Sequence, residues 1–144
     1  MEKTFCEYFQ DLFTISNLGE AHIKVALQTM APKVTPEMNL CLEQPFTVEE
    51  ITIVLFQMCP TKAPGPDGLQ AVFFQKHWEA VKDGVLATCL YVLNEQGTIV
   101  PLNHTYVALI PKTAKPKKVI ELRPISLCNV IYRLIAKAIA NRLK

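Results

Sequence analysis

The stretch Thr105-Tyr106-Val107-Ala108-Leu109-Ile110-Pro111-Lys112 decides the fold class of this chain. Its β-branched and aromatic residues predict a short strand that Pro111 stops. Lys112 to Lys118 reads as a basic turn containing Pro116. Val119-Ile120-Glu121-Leu122-Arg123 is then expected to return as the partner strand, and Pro124 to forbid continuation of a central ladder. A two-stranded antiparallel hairpin near residues 105–123 is therefore set among segments whose apolar residues recur at helical spacing. The class this implies is α+β, mainly helical.

Downstream, Cys128 or Asn129 to Lys144 predicts a helix with Ile131, Leu134, Ile135, Ala138, Ile139 and Leu143 on its apolar side. Arg133, Lys137 and Lys144 fall on the other. Upstream, Thr47-Val48-Glu49-Glu50 is a capping box, opening a helix that presents Ile51, Val54, Leu55 and Met58. Pro60 ends that helix, and Lys62-Ala63-Pro64-Gly65-Pro66-Asp67-Gly68 reads as a fixed-shape loop. In it Asp67 is expected to accept from its own loop backbone. Helical spacing resumes near Leu69 and runs through Val81, Val85, Cys89 and Leu93, with Gly97 as its terminator. Trp78 and the phenylalanine pairs fit core packing better than base stacking. Phe5, Phe9, Leu12 and Phe13 predict an amphipathic opening helix, broken by Asn17 and Gly19, and a second helix is expected from Glu20 to Met30. Pro32 to Pro45 has no clear period and reads as a connector. No internal repeat is present.

Of the 144 residues, 50 % are apolar and 19 % charged, the composition of a globular chain. The apolar run Ile51–Phe56 is far too short to cross a bilayer, and Met1-Glu2-Lys3-Thr4-Phe5-Cys6 does not open a secretory signal. An intracellular protein without membrane attachment is expected. Five cysteines and three histidines are scattered singly, which argues against a disulfide framework or a zinc knuckle. Charge is uneven. Lys112 to Lys144 holds nine basic residues against one acid, Glu121, for +8; the preceding 111 residues hold six against twelve, for −6. Such a basic end suits a polyanion, although charge alone leaves open a merely solvated lysine-rich face.

Two groups of motifs carry a resemblance. The first is Phe46-Thr47-Val48-Glu49-Glu50-Ile51, then Lys62-Ala63-Pro64-Gly65-Pro66-Asp67-Gly68, then Phe73-Phe74-Gln75-Lys76-His77-Trp78. The second is Leu102-Asn103-His104-Thr105, Leu109-Ile110-Pro111-Lys112, Arg123-Pro124-Ile125-Ser126-Leu127, Tyr132-Arg133-Leu134-Ile135-Ala136-Lys137 and Ala140-Asn141-Arg142-Leu143. In order and spacing these resemble the fingers region of non-LTR (LINE-type) retrotransposon reverse transcriptases, particularly those of plants. Residues 1–45 then look like the helical linker that precedes the polymerase. Residues 46–144 look like a partial reverse transcriptase domain, an incomplete fingers subdomain of a right-hand polymerase. Arg133 departs from the pattern, standing where lysine is common.

The resemblance implies that Lys112 and Arg123 lie near an incoming nucleotide's triphosphate, Arg123 gripping phosphate oxygens through its planar fork. A structural ion pair from Arg123 to Glu121 or Asp67 is the alternative. Lys115, Lys117 and Lys118 would face template or simply solvent. The implied partners are an RNA template or RNA/DNA hybrid, held weakly, and a deoxynucleoside triphosphate once a palm is supplied.

In that family two Mg²⁺ ions held by palm carboxylates perform the chemistry. Here the aspartates are Asp11, Asp67 and Asp83, with no adjacent pair and none beyond Arg123. The chain is therefore expected to stop before the palm, to carry no catalytic or metal-binding residue and no cofactor, and to be inactive alone. The endonuclease found upstream in such elements is likewise expected to be absent from this chain. Two other readings stay open: a salt-sensitive nucleic-acid-binding module, and a transposon relic without function. Loss of a palm would leave apolar surface on the last helix and strand pair, so self-association or partial disorder is expected.

Overall fold

A computed structural model describes residues 2–14, 20–28 and 34–144. Among them are seven helices and one hairpin: α1 (Glu2–Phe13), α2 (Glu20–Gln28), α3 (Pro36–Glu43), α4 (Val48–Phe56), α5 (Ala71–Lys76), α6 (Trp78–Asn94), β1 (Thr105–Pro111), β2 (Leu122–Cys128) and α7 (Val130–Arg142). The mainly helical α+β class is as expected. Asn17, Gly19 and Met30 lie outside the described residues.

The core is built by α4 to α7. The α4 start forms as its sequence dictates: Glu50 N–H donates to Thr47 Oγ1 (3.2 Å), and Thr47 N–H donates to the Glu50 carboxylate (2.8 Å). This places Ile51, Val54 and Leu55 on one buried face. At the other end, Gln75 Nε2 of α5 donates to the carbonyls of Leu55 (2.9 Å) and Met58 (3.1 Å), at and just past the last turn of α4. Phe74 and Ala71 are buried beside them, with Val85 and Cys89 contributed by α6. Burial pushes the Cys89 thiol up to about 12, so it is a packing residue and not a nucleophile. Trp78 opens α6 and meets Phe56 edge-on at 6.4 Å, in keeping with a packing role.

The last helix closes this core. Val130, Leu134, Ile135 and Ala138 are 0–2 % exposed. The expected apolar side is thus shifted, because Ile139 and Leu143 are 44 % and 70 % exposed. Its buried part is covered by α4 and α6, so the expectation that this helix would strand apolar surface without a palm is corrected for Val130 to Ala138 and holds only at Ile139 and Leu143.

Three other expectations change. The 32–45 connector contains α3, started by Thr35 accepting from Met38 N–H (3.2 Å) with Pro36 in the first helical position. The left-handed residue that ends α6 is Gln96 (φ 54°), not Gly97. Gly97 is needed for closeness: a Cβ there would lie 2.4 Å from Tyr91 ring carbons. The return strand begins at Leu122, not Val119, because 119–121 forms a tight 3₁₀ turn.

Pro124 consequently lies inside β2, opposite Leu109. Lys112 N–H donates to Glu121 O (2.7 Å), which makes 112 and 121 a hydrogen-bonded pair just beyond the ladder's end. Pairs alternate in an antiparallel ladder. The pairs 111–122 and 109–124 are therefore the non-bonded kind, and both prolines turn their nitrogens outward. Neither interrupts the hairpin. Each removes a donor from an open edge, which discourages pairing with another strand.

The Gly65–Gly68 loop docks on the junction between hairpin and α7. Asp67 Oδ1 accepts from Leu69 N–H (3.1 Å), and Asn129 Oδ1 accepts from Asp67 N–H (3.4 Å). A Cβ at Gly65 would stand 2.5 Å from Asn129 N and 2.6 Å from Cys128 C. Glycine is required there by backbone approach, and the loop fixes where the strands leave the core.

Candidate nucleic-acid interface

Side chains alternate between the two faces of a strand. The register of Ile110 with Arg123 puts Tyr106, Ala108, Ile110 and Lys112 on one face with Leu127, Ile125 and Arg123. The opposite face carries Thr105, Val107 and Leu109 with Cys128, Ser126 and Pro124. Among the described residues, no member of either strand joins the buried core. The hairpin stands on the helical unit as an exposed arm.

Lys112 and Arg123 are diagonal neighbours on one face, with Cβ atoms on the order of 7 Å apart by strand geometry. Lys112 Nζ donates to Ile120 O (2.8 Å), which holds the ammonium at the turn and leaves it further donors. Arg123 is exposed and forms no ion pair with a described carboxylate, so neither Glu121 nor Asp67 neutralises it. Glu121 is engaged otherwise: its carboxylate accepts from the backbone N–H groups of Lys117 (2.6 Å) and Lys118 (3.2 Å). The single acid of the basic end shapes the turn instead of cancelling its charge. Lys115, Lys117 and Lys118 are all exposed on that turn.

Beside the cations lies apolar surface. Tyr106 is 57 % exposed, Ile110 46 % and Ile125 41 %. The imidazole of His104 meets the Tyr106 ring edge-on, with centroids 6.0 Å apart. Strand-forming character explained Tyr106 fully in the sequence, so its position beside the cations emerges only from the register. On the other face, Val107 and Leu109 border a hollow of about 310 Å³ shared with Phe5, Cys6 and Phe9 of α1.

A second charged cluster, which the sequence did not reveal, is structural. Arg142 Nε and Nη2 donate to the two Glu50 carboxylate oxygens at 2.8 and 2.7 Å. Its guanidinium also donates to the carbonyls of Leu42 (3.4 Å), Gln44 and Pro45, the last at 2.8 Å, and lies 3.6 Å above the Phe46 ring. The hydrogen bond to Arg142 holds the Glu50 carboxyl below its ordinary value, and the reciprocal bond raises the Arg142 pKa. A groove of about 650 Å³ opens beside this pair, its apolar lining drawn from residues between Val34 and Pro45 and from Leu143. Its partly buried charges are committed to each other, whereas Arg123 of the hairpin has no carboxylate partner among the described residues.

Among the described residues no group of three or more His, Cys, Asp or Glu side chains is arranged to hold a metal ion. No described helix is long and apolar enough to cross a membrane.

The molecule is thus a small helical unit bearing an exposed, basic, two-stranded arm. Over 113 residues, 78 % of this chain, it is 30 % identical to the Transposon TX1 uncharacterized 149 kDa protein of Xenopus laevis. The matched span is 9 % of that protein's length. The chain is therefore related to a transposon protein and corresponds to a small part of it. No protein-family model matches the chain.

Proposed function

We propose that this chain is a fingers segment of a non-LTR retrotransposon reverse transcriptase, with the hairpin holding template or the triphosphate of an incoming nucleotide. The observation that carries this reading is the meeting of Lys112 and Arg123 on one exposed face, without a carboxylate to neutralise Arg123. The relationship to a transposon protein supports the setting. A polyanion fits here because several cations surround one acid whose oxygen is occupied by backbone amides.

Polymerisation needs two divalent metals held by carboxylates. Asp11 lies in α1, Asp67 in the loop before α5, and Asp83 in α6. The chemistry is assigned to carboxylates from another part of a longer protein or from a second chain, with Mg²⁺ belonging to that complete enzyme. This chain supplies phosphate contacts. Purified protein given primed RNA template, Mg²⁺ and labelled deoxynucleotides should make no extension product. It should bind the template with an affinity that falls steeply with salt, and deoxynucleoside triphosphate should compete. Extension would overturn the division of labour, and salt-insensitive binding would overturn the role of the hairpin.

The uncancelled charge also favours a second reading, a non-catalytic nucleic-acid-binding module. In that case template would bind with the same salt dependence, but triphosphate would not compete.

A further inference from the structure

We infer that the hairpin takes nucleic acid as a single strand, stacking an unpaired base on Tyr106 while Lys112 and Arg123 hold the phosphates. This rests on the reading above and adds which form of nucleic acid the site accepts. Three observations meet on one face. The cations lie at its turn end, paired through the register with Ile110 and Glu121. An aromatic ring, 57 % exposed, lies at its other end, with the His104 ring set against it. Between them Ala108 leaves a low path bordered by the exposed side chains of Ile110 and Ile125.

Tyr106 lies four residues before Ile110, which is about 13 Å along a strand at about 3.3 Å per residue. A single strand crosses that distance in a few nucleotides. Its phosphates can therefore meet the cations while a base further along reaches the ring. A duplex cannot use the face in this way. Its bases are already stacked on one another, so it offers the hairpin phosphates only and leaves Tyr106 and the isoleucines against a charged backbone. Flexible single strands turn their bases outward, and an aromatic side chain beside a cationic track is the surface that receives them without sequence preference. Tyr106 is suited to this because its exposed ring contributes little to the core, from which both strands are absent.

The test measures affinity of the full chain for three probes of equal length: an oligothymidylate, an abasic deoxyribose-phosphate oligomer, and a duplex. The wild-type chain should prefer the oligothymidylate to both others. Tyr106→Ala should weaken oligothymidylate binding about tenfold, the scale of one lost base–aromatic stack, and leave the abasic oligomer and the duplex unchanged. Tyr106→Phe should restore the preference, since the ring alone is needed. A Tyr106→Ala chain that binds all three probes as the wild type does would overturn the stacking role while leaving phosphate binding intact. Equal wild-type affinity for the abasic oligomer and the oligothymidylate would overturn it as well. Failure of the wild-type chain to bind any probe would overturn the hairpin as a nucleic-acid site altogether, and this inference with it.

Discussion

Arg142 of the helical unit and Arg123 of the hairpin are placed in opposite ways. In the helical unit Arg142 is surrounded by acceptors: a forked carboxylate, three carbonyls and an aromatic face. In the hairpin Arg123 is exposed, and the nearest acid in sequence is turned toward backbone amides. Both are arginines late in the chain, yet one joins elements distant in sequence and the other is left open to solvent. Apolar residues divide the same way. Leu134 is fully buried, whereas Tyr106 and Ile110 are about half exposed. A protein gains little stability from an open cation or an open ring, so the hairpin's residues are better explained by what they meet than by what they support.

That contrast can be broken first at the core. Leu134→Ala removes a fully buried side chain from the α4–α6–α7 contact and should cost about 4 kcal/mol, part transfer and part cavity. Urea denaturation would show it. A loss below about 1 kcal/mol would mean that α7 is held mainly by something other than this packing.

The Arg142 cluster comes next. Arg142→Met should cost about 3 kcal/mol, because Glu50 and the carbonyls of Gln44 and Pro45 lose their donor in a partly buried setting. The pH dependence has a definite sign. Glu50 has a folded-state pKa below its ordinary 4.5, so the pair's contribution is complete above that value. It is lost as pH falls through the depressed value. The wild-type urea midpoint should therefore drop in acid, and Arg142→Met should flatten that drop. Parallel acid limbs in the two proteins would show that the pair does not carry it.

The junction between the two regions is a smaller lever. Gly65→Ala places a methyl group 2.5–2.6 Å from the backbone at Cys128 and Asn129. Backbone cannot rotate aside as a side chain can, so a cost of about 2 kcal/mol is expected. Because the clash lies where β2 passes into α7, hydrogen exchange should quicken there and in the Gly65–Gly68 loop more than in α6. Uniform quickening would mean that the loop is not what sets the hairpin's exit.

How far the sequence could be read follows from where each residue's partner lies. Thr47 and Glu50 cap one helix end from three residues apart, and a local motif suffices to recognise them. Arg142 and Glu50 are 92 residues apart, and nothing in the local pattern of α7 distinguishes Arg142 from Arg133 and Lys137, the other cations of that helix. Pro124 misled for a related reason. A proline breaks a ladder only where its nitrogen faces the partner, and that depends on the pair type fixed by register. The Thr35-Pro36 helix start was locally legible but stood in a stretch without apolar period, because α3 contains no buried residue. Lys112 and Arg123 were visible as cations and through motif order. Their common face, and the place of Tyr106 on it, required the register.

The smallest stability effect and the sharpest test of the contrast belong to the hairpin itself. Lys112→Glu with Arg123→Glu should change folding stability by no more than about 0.5 kcal/mol each, as expected of exposed positions away from packing. Lys112 loses its bond to Ile120 O, but that carbonyl lies at an exposed residue where water can replace the ammonium. Binding should respond quite differently. On a single strand each cation that neutralises a phosphate contributes about 0.7 to the slope of log affinity against log salt, so the double variant should lose about 1.4. Intact folding with a flattened salt slope would establish that these cations serve a partner and not the fold. Loss of folding in the same variant would erase the distinction, because the hairpin's charges would then be structural in the way that Arg142 is.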